Sequence, residues 1–92
     1  MISTVPFYRT SLETATLLAS GFTRNVTIDQ DYSMVIAISG PNSTPSASGT
    51  ATSLYSGYCG DSNYNYRIGV WIDAKAGTIF RGTNWTMIIG IK

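Results

Sequence analysis

Two runs of alternating apolar residues restrict this chain to β structure. Tyr64, Tyr66, Ile68, Val70 and Ile72 occupy every second position, and Tyr32, Met34, Ile36 and Ile38 do the same. Side chains two residues apart share a face only in an extended chain, and β-branched residues favour that conformation. The intervening positions are apolar as well. Val35 and Ala37 lie between the members of one run, Trp71 lies within the other, and Ile88 separates Met87 from Ile89 near the end. A two-layer sandwich leaves one face of each sheet to water, so its strands should alternate apolar with polar. These strands call for cover on both faces. Taking Tyr32, Met34, Ile36, Ile38, Ile68, Val70, Ile72, Met87 and Ile89 as the core leaves Val35, Trp71 and Ile88 as the set for a neighbouring chain to cover.

The rest of the chain supplies further strands and turns. Phe22 to Ile28 alternates, Asp29-Gln30-Asp31 turns, and Gly40-Pro41 stops the strand that begins at Tyr32. Gly40 to Gly49 reads as the longest loop, Thr50 to Ser56 as a strand, and Gly57 to Asn63 as a second loop. Asp73 to Gly77 and Arg81 to Thr83 read as turns on either side of a strand at Thr78 to Phe80, with a last strand from Trp85 to Ile91. Thr14 to Ala19 reads as a strand; its alternative is a helical turn opened by the capping-box spacing Thr10-Ser11-Leu12-Glu13. Six to eight short strands in 92 residues make one domain, 1–92. The expected fold is all-β, a small antiparallel β-sandwich of jelly-roll or Ig-like form.

Composition then removes whole classes of chemistry. The chain has no His and one Cys, Cys59, so no His-based nucleophile system, His-bearing zinc site or internal disulfide is available. Asp29 and Asp31, like Asp61 with Asn63, have a spacing seen in calcium loops but lack the turn glycine and the downstream bidentate acid; they read as turn caps. No phosphate-cradling glycine motif is present. No catalytic residue, metal or cofactor is therefore expected, and the chain is not read as an enzyme. A net charge of +1 gives no electrostatic case for nucleic acid, and no apolar run is long enough for membrane insertion. No signal peptide is visible at the N-terminus. Eleven Ser, twelve Thr and five Asn take the place of charge. Rigid aromatics among such residues suit a recognition surface, and Tyr55, Tyr58, Asp61, Asn63 and Asn65 are the candidate contacts for a ligand or receptor. Tyr64 and Tyr66 read as packing beside the Ile68-to-Ile72 strand.

Three stretches resemble a known group. Thr16-Leu17-Leu18-Ala19-Ser20-Gly21, the paired segments Val26-Thr27-Ile28 and Asp31-Tyr32-Ser33-Met34-Val35-Ile36, and the ending Met87-Ile88-Ile89-Gly90-Ile91-Lys92 are similar to the small β-sandwich domains at the C-terminal tips of phage tail fibres and related phage structural proteins. The middle, from Gly40 to Tyr66, carries no part of the likeness. The resemblance implies a virion location after synthesis in the host cytoplasm and trimeric assembly. It also implies contact with a bacterial surface glycan or protein, or with a neighbouring virion protein. A free-standing, lectin-like carbohydrate-binding domain is the alternative. A homo-oligomer is expected, with Val35, Trp71 and Ile88 at its interface; the alternative is that the segment Val5 to Leu18 folds over the extra apolar face within one chain.

Overall fold

The computed structural model describes residues 15–41, 43–59 and 66–92, and of Cys59 only the backbone. The Thr10–Glu13 capping box, Tyr64, Asp61, Asn63 and Asn65 lie outside the described residues. The described residues form eight strands: β1 (Ala15–Gly21), β2 (Arg24–Thr27), β3 (Tyr32–Ser39), β4 (Ser46–Ser48), β5 (Thr52–Cys59), β6 (Tyr66–Ala74), β7 (Ile79–Gly82) and β8 (Thr86–Ile91). All pairings are antiparallel, in a five-stranded sheet of order β1-β8-β3-β6-β5 and a three-stranded sheet of order β2-β7-β4. The all-β sandwich expected from alternation is the observed fold.

The two sheets meet through aromatic rings. Trp71 of β6 and Phe80 of β7 pack edge to face, with centroids 5.1 Å apart and planes at 63°. Around them lie Val35, Ala37 and Ile88 from the large sheet, with Ile28, Tyr32 and Ala74 at one end. Burying each larger side chain stabilises the fold by roughly 1.5–3 kcal/mol, so this cluster is the main source of cohesion between the layers. On β1 the register shifts between Leu17 and Ala19, and Leu18 and Ala19 both pack against the core. A bulge of this kind lets consecutive residues serve one face.

The parity of the core is the reverse of the sequence expectation. Val35 and Ile88 are 0% exposed and Trp71 6%, so the residues assigned to an oligomer interface form the interior. Met34, Ile36, Ile38, Ile68, Val70, Ile72 and Ile89 are half-buried on the opposite face, and Met87 is exposed. Both sets are apolar, so hydrophobicity does not choose between them; size contrast does. In the register Val35 faces Trp71 and Ala37 faces Gly69, so small residues stand beside the largest ring. A Cβ at Gly69 would lie 2.5 Å from the Trp71 ring, and only glycine admits that approach. The other face is uniform Ile, Val and Met, with no gap for an aromatic from the second sheet.

One member of the expected set does face inward. Tyr32 is buried, because the burial pattern of β3 slips between Tyr32 and Val35, opposite a similar slip between Trp71 and Ala74. The slip falls at Asp73, whose backbone is left-handed at φ 53°. Two loop expectations also change. Ser46–Ser48, inside the expected 40–49 loop, pairs with β7, and β5 continues to Cys59 through residues expected to be loop.

The turn end near Asp73 is tied by hydrogen bonds as well as by packing. The buried Thr78 Oγ1 accepts from the Thr50 amide at 3.1 Å and lies 2.7 Å from the Lys75 carbonyl, to which it donates. The Ile28 amide donates to the Thr78 carbonyl at 3.0 Å, and the Gly77 amide donates to the Ile28 carbonyl at 2.7 Å. These bonds fasten the β2–β3 and β6–β7 connections to each other.

Candidate functional site

Strand order brings the loops of one end of the sandwich together. Crossing the five-stranded sheet along that end, one meets Phe22 after β1, Trp85 before β8, Gly40-Pro41 after β3, Arg67 near the start of β6 and Tyr58 near the end of β5. These positions are distant in sequence, and the topology alone makes them neighbours.

At the β5–β6 side, Tyr58 sits opposite Arg67 in the register. The Arg67 guanidinium lies 4.1 Å from the centre of the Tyr58 ring, Nη2 donates to the Tyr58 hydroxyl at 3.0 Å, and Nη1 donates to Thr44 Oγ1 at 2.7 Å. The Tyr55 hydroxyl donates to the Tyr58 carbonyl at 3.3 Å. Arg67 Nε is buried without a hydrogen-bond partner among the described residues. The stack fixes a positive charge against an exposed ring, an interaction worth about 0.5–1 kcal/mol at such a site. Of the candidate contacts, the structure brings Tyr55 and Tyr58 together and exposes both, 50% and 62%. Sequence reading missed Arg67, which stands between Tyr66 and Ile68 in the alternating run.

At the β1–β8 side, Phe22 and Trp85 pack edge to face, with centroids 5.6 Å apart and planes at 87°. Both are largely exposed, Phe22 at 56% and Trp85 at 67%. Trp85 and the preceding Asn84 are left-handed, with φ of 44° and 58°. Asn tolerates that region; a bulky Trp there is an outlier, and such residues cost of order 1–3 kcal/mol. The turn is clamped in place. The Gly40 amide donates to the carbonyls of Thr83 at 3.3 Å and Asn84 at 2.5 Å, and Asn84 Nδ2 donates to the Pro41 carbonyl at 3.2 Å. A Cβ at Gly40 would stand 2.7 Å from the Asn84 carbonyl oxygen, so the contact needs glycine. Beside the rings, Arg24 folds over Gly21, with Nε donating to the Ser20 carbonyl at 3.0 Å and Nη1 to the Thr23 carbonyl at 2.8 Å.

The opposite end is different in kind. Asp31, Tyr32, Ser33, Asp73, Lys75 and Lys92 line an open hollow of about 210 Å³. Its charges are balanced and partly engaged. Asp31 Oδ1 accepts from the Ala76 amide at 2.9 Å and Oδ2 lies 3.8 Å from Lys75 Nζ, while Lys92 Nζ donates to Gln30 Oε1. Asp31 thus caps a turn, but one 45 residues away rather than its own. The exposed pair with Lys75 contributes little to stability.

The Trp85 end therefore carries rings, hydroxyls, amides and two arginines, Arg24 and Arg67, neither of which has a carboxylate partner among the described residues. Such groups recognise ligands by stacking and hydrogen bonding. Comparison with protein-family models, curated protein sequences and solved structures finds no match to this chain.

Proposed function

We propose that this chain is a non-enzymatic structural and attachment module of a phage virion, assembled as a homotrimer. The outer face of the five-stranded sheet is the observation that carries this reading. There Ile91, Met34 and Ile72 form one row across three strands, Ile89, Ile36 and Val70 a second, and Met87, Ile38 and Ile68 a third. Leu17 extends the middle row onto β1 and Tyr55 extends it onto β5. No charged residue interrupts these rows. At ordinary strand spacings the three central strands alone span roughly 300 Å², the size of the largest apolar patch on a typical monomer, which is often functional.

The occupant is a second copy of the same chain. A surface without charge and without deep relief complements itself, and closed symmetry covers it without open-ended growth. The three-fold symmetry comes from the likeness to tail-fibre tips. With the sheet faces gathered near the axis, the Trp85 end and the Tyr58–Arg67 stack remain free to meet a host surface component or a neighbouring virion protein.

Light scattering on the purified protein at micromolar concentration tests the assembly. Three times the 9.9 kDa chain mass is the expected result, and a monomer mass overturns it. In the second case the exposed Tyr55 and Tyr58, with Arg67 stacked on Tyr58, favour the other reading, a free-standing lectin-like domain.

A further inference from the structure

We propose that Trp85, braced by Phe22, is a saccharide-contact residue that stacks its indole on the apolar face of a pyranose ring. The inference deepens the attachment reading above and rests on it for biological context, but its geometry is independent of the assembly face.

Three observations converge on this turn. First, Trp85 is not there for the fold. It lies outside the interior, in a backbone region that a bulky residue avoids, and the buried Trp71 already serves as the core tryptophan. Strain in a residue that adds nothing to the interior points to a use at the surface. Second, the residue is held rather than loose. The Gly40 amide and the Asn84 side chain tether the turn to Gly40-Pro41, and Phe22 meets Trp85 at a right angle. An edge-to-face pair covers at most one face of either ring, so Phe22 leaves at least one face of the Trp85 indole open and a flat ligand finds a platform already in position.

Third, the surroundings choose the ligand class. Ser20, Thr23, Asn25 and Thr83 lie within three residues of Phe22 or Trp85 in the sequence, Arg24 retains N–H donors beyond the two it gives to carbonyls, and no carboxylate occurs in residues 20–25 or 82–86. A cationic ligand would meet Arg24 without a counter-charge. An apolar peptide would find only two rings bordered by hydroxyls. A pyranose matches both parts, with C–H bonds on one face for the indole and hydroxyls around its edge for the flanking donors and acceptors.

The two tryptophans make the test direct, because one is exposed and the other buried. Methyl pyranosides of gluco, galacto, manno and N-acetylglucosamine configuration are titrated while tryptophan emission and acrylamide quenching are followed. The expected result is a blue shift and weaker quenching with at least one glycoside. Both changes vanish in Trp85→Ala and weaken several-fold in Phe22→Ala, while the melting temperature stays within a few degrees of the parent. Amide chemical-shift changes confined to residues 20–25 and 83–86 locate the same site if Trp85→Ala proves poorly soluble. No response to any glycoside overturns the proposal, as does a response that survives in Trp85→Ala. A Trp85 emission change that follows protein concentration without sugar also overturns it, because the ring pair is then an assembly contact. The chain mass from light scattering is read separately, so failure of the trimer and failure of the sugar site remain distinct results.

Discussion

The two faces of the five-stranded sheet are both largely apolar, yet one is closed by the second sheet and the other is not. The inner face mixes sizes: Gly69 beside Trp71, Ala37 beside Ile88, and Val35 opposite Trp71. The outer face repeats Ile, Val and Met in three near-uniform rows. Close packing against a second layer needs complementary relief, which a mixture of sizes provides and a uniform surface does not. Hydrophobic pattern therefore selects which residues want cover, and size contrast selects which of them receive it inside the chain.

The strongest way to break this contrast is to charge each face in turn. Val35→Asp places an unpaired carboxylate at a fully buried site and is expected to cost more than about 4 kcal/mol, leaving no folded protein by near-ultraviolet circular dichroism. Gly69→Ala drives a methyl group into the Trp71 ring and should lower stability by about 1–3 kcal/mol in urea unfolding, with a disturbed Trp71 signal. Ile36→Lys, at the centre of the outer rows, should cost about 1 kcal/mol or less, because the long stem covers its neighbours while the ammonium reaches water. That variant is expected to stay folded and fall to monomer mass in light scattering. If Val35→Asp folds and Ile36→Lys does not, the faces are assigned the wrong way round.

The smallest expected effect sharpens the inner face. Ser39 Oγ and Thr86 Oγ1 are both buried without hydrogen-bond partners among the described residues, whereas Thr78 Oγ1 is fully engaged. Ser39→Ala should leave stability within about 0.5 kcal/mol or raise it slightly, since a buried unpaired hydroxyl carries a desolvation cost with no bond to offset it. Thr78→Val, a change of similar volume, should cost about 1–2 kcal/mol by the same reasoning reversed. Equal responses of the two hydroxyls in thermal unfolding would remove the distinction.

Much of the fold was legible because alternation is a local property. β3 runs over the residues expected of it, and β1, β2, β6, β7 and β8 fall within a few residues of their expected places. β4 was hidden because Ser46-Ala47-Ser48 has no apolar run; only its pairing with β7 makes it a strand. The orientation of the large sheet was hidden for a related reason. Alternation reports that two faces differ in phase, and the information on which faces inward lies in Gly69, Ala37 and Trp71 taken across two strands. At the site, Tyr55 and Tyr58 were visible as aromatics among small polar residues. Trp85 was read as the first residue of a strand, although Asn84 before it carried the available signal, being one of the few residues that readily takes a left-handed turn. Arg67 gave no such sign, because its partners Tyr58 and Thr44 lie 9 and 23 residues away.

The position of β8 has a consequence for how the molecule is made. The last of the eight strands in sequence lies inside the large sheet, between β1 and β3, with Ile91 beside both Ala15 and Met34. No partial chain lacking β8 can form that sheet, because β1 would have no neighbour and β3 would keep an open edge. Folding must bring together segments separated by most of the domain before much of the apolar surface is covered, which is the slow regime of chain closure, in milliseconds to seconds rather than microseconds. Until that strand docks, an unfilled groove flanked by two unpaired backbones is the molecule's most exposed state, and a β8 strand from any other copy fits it as well as its own.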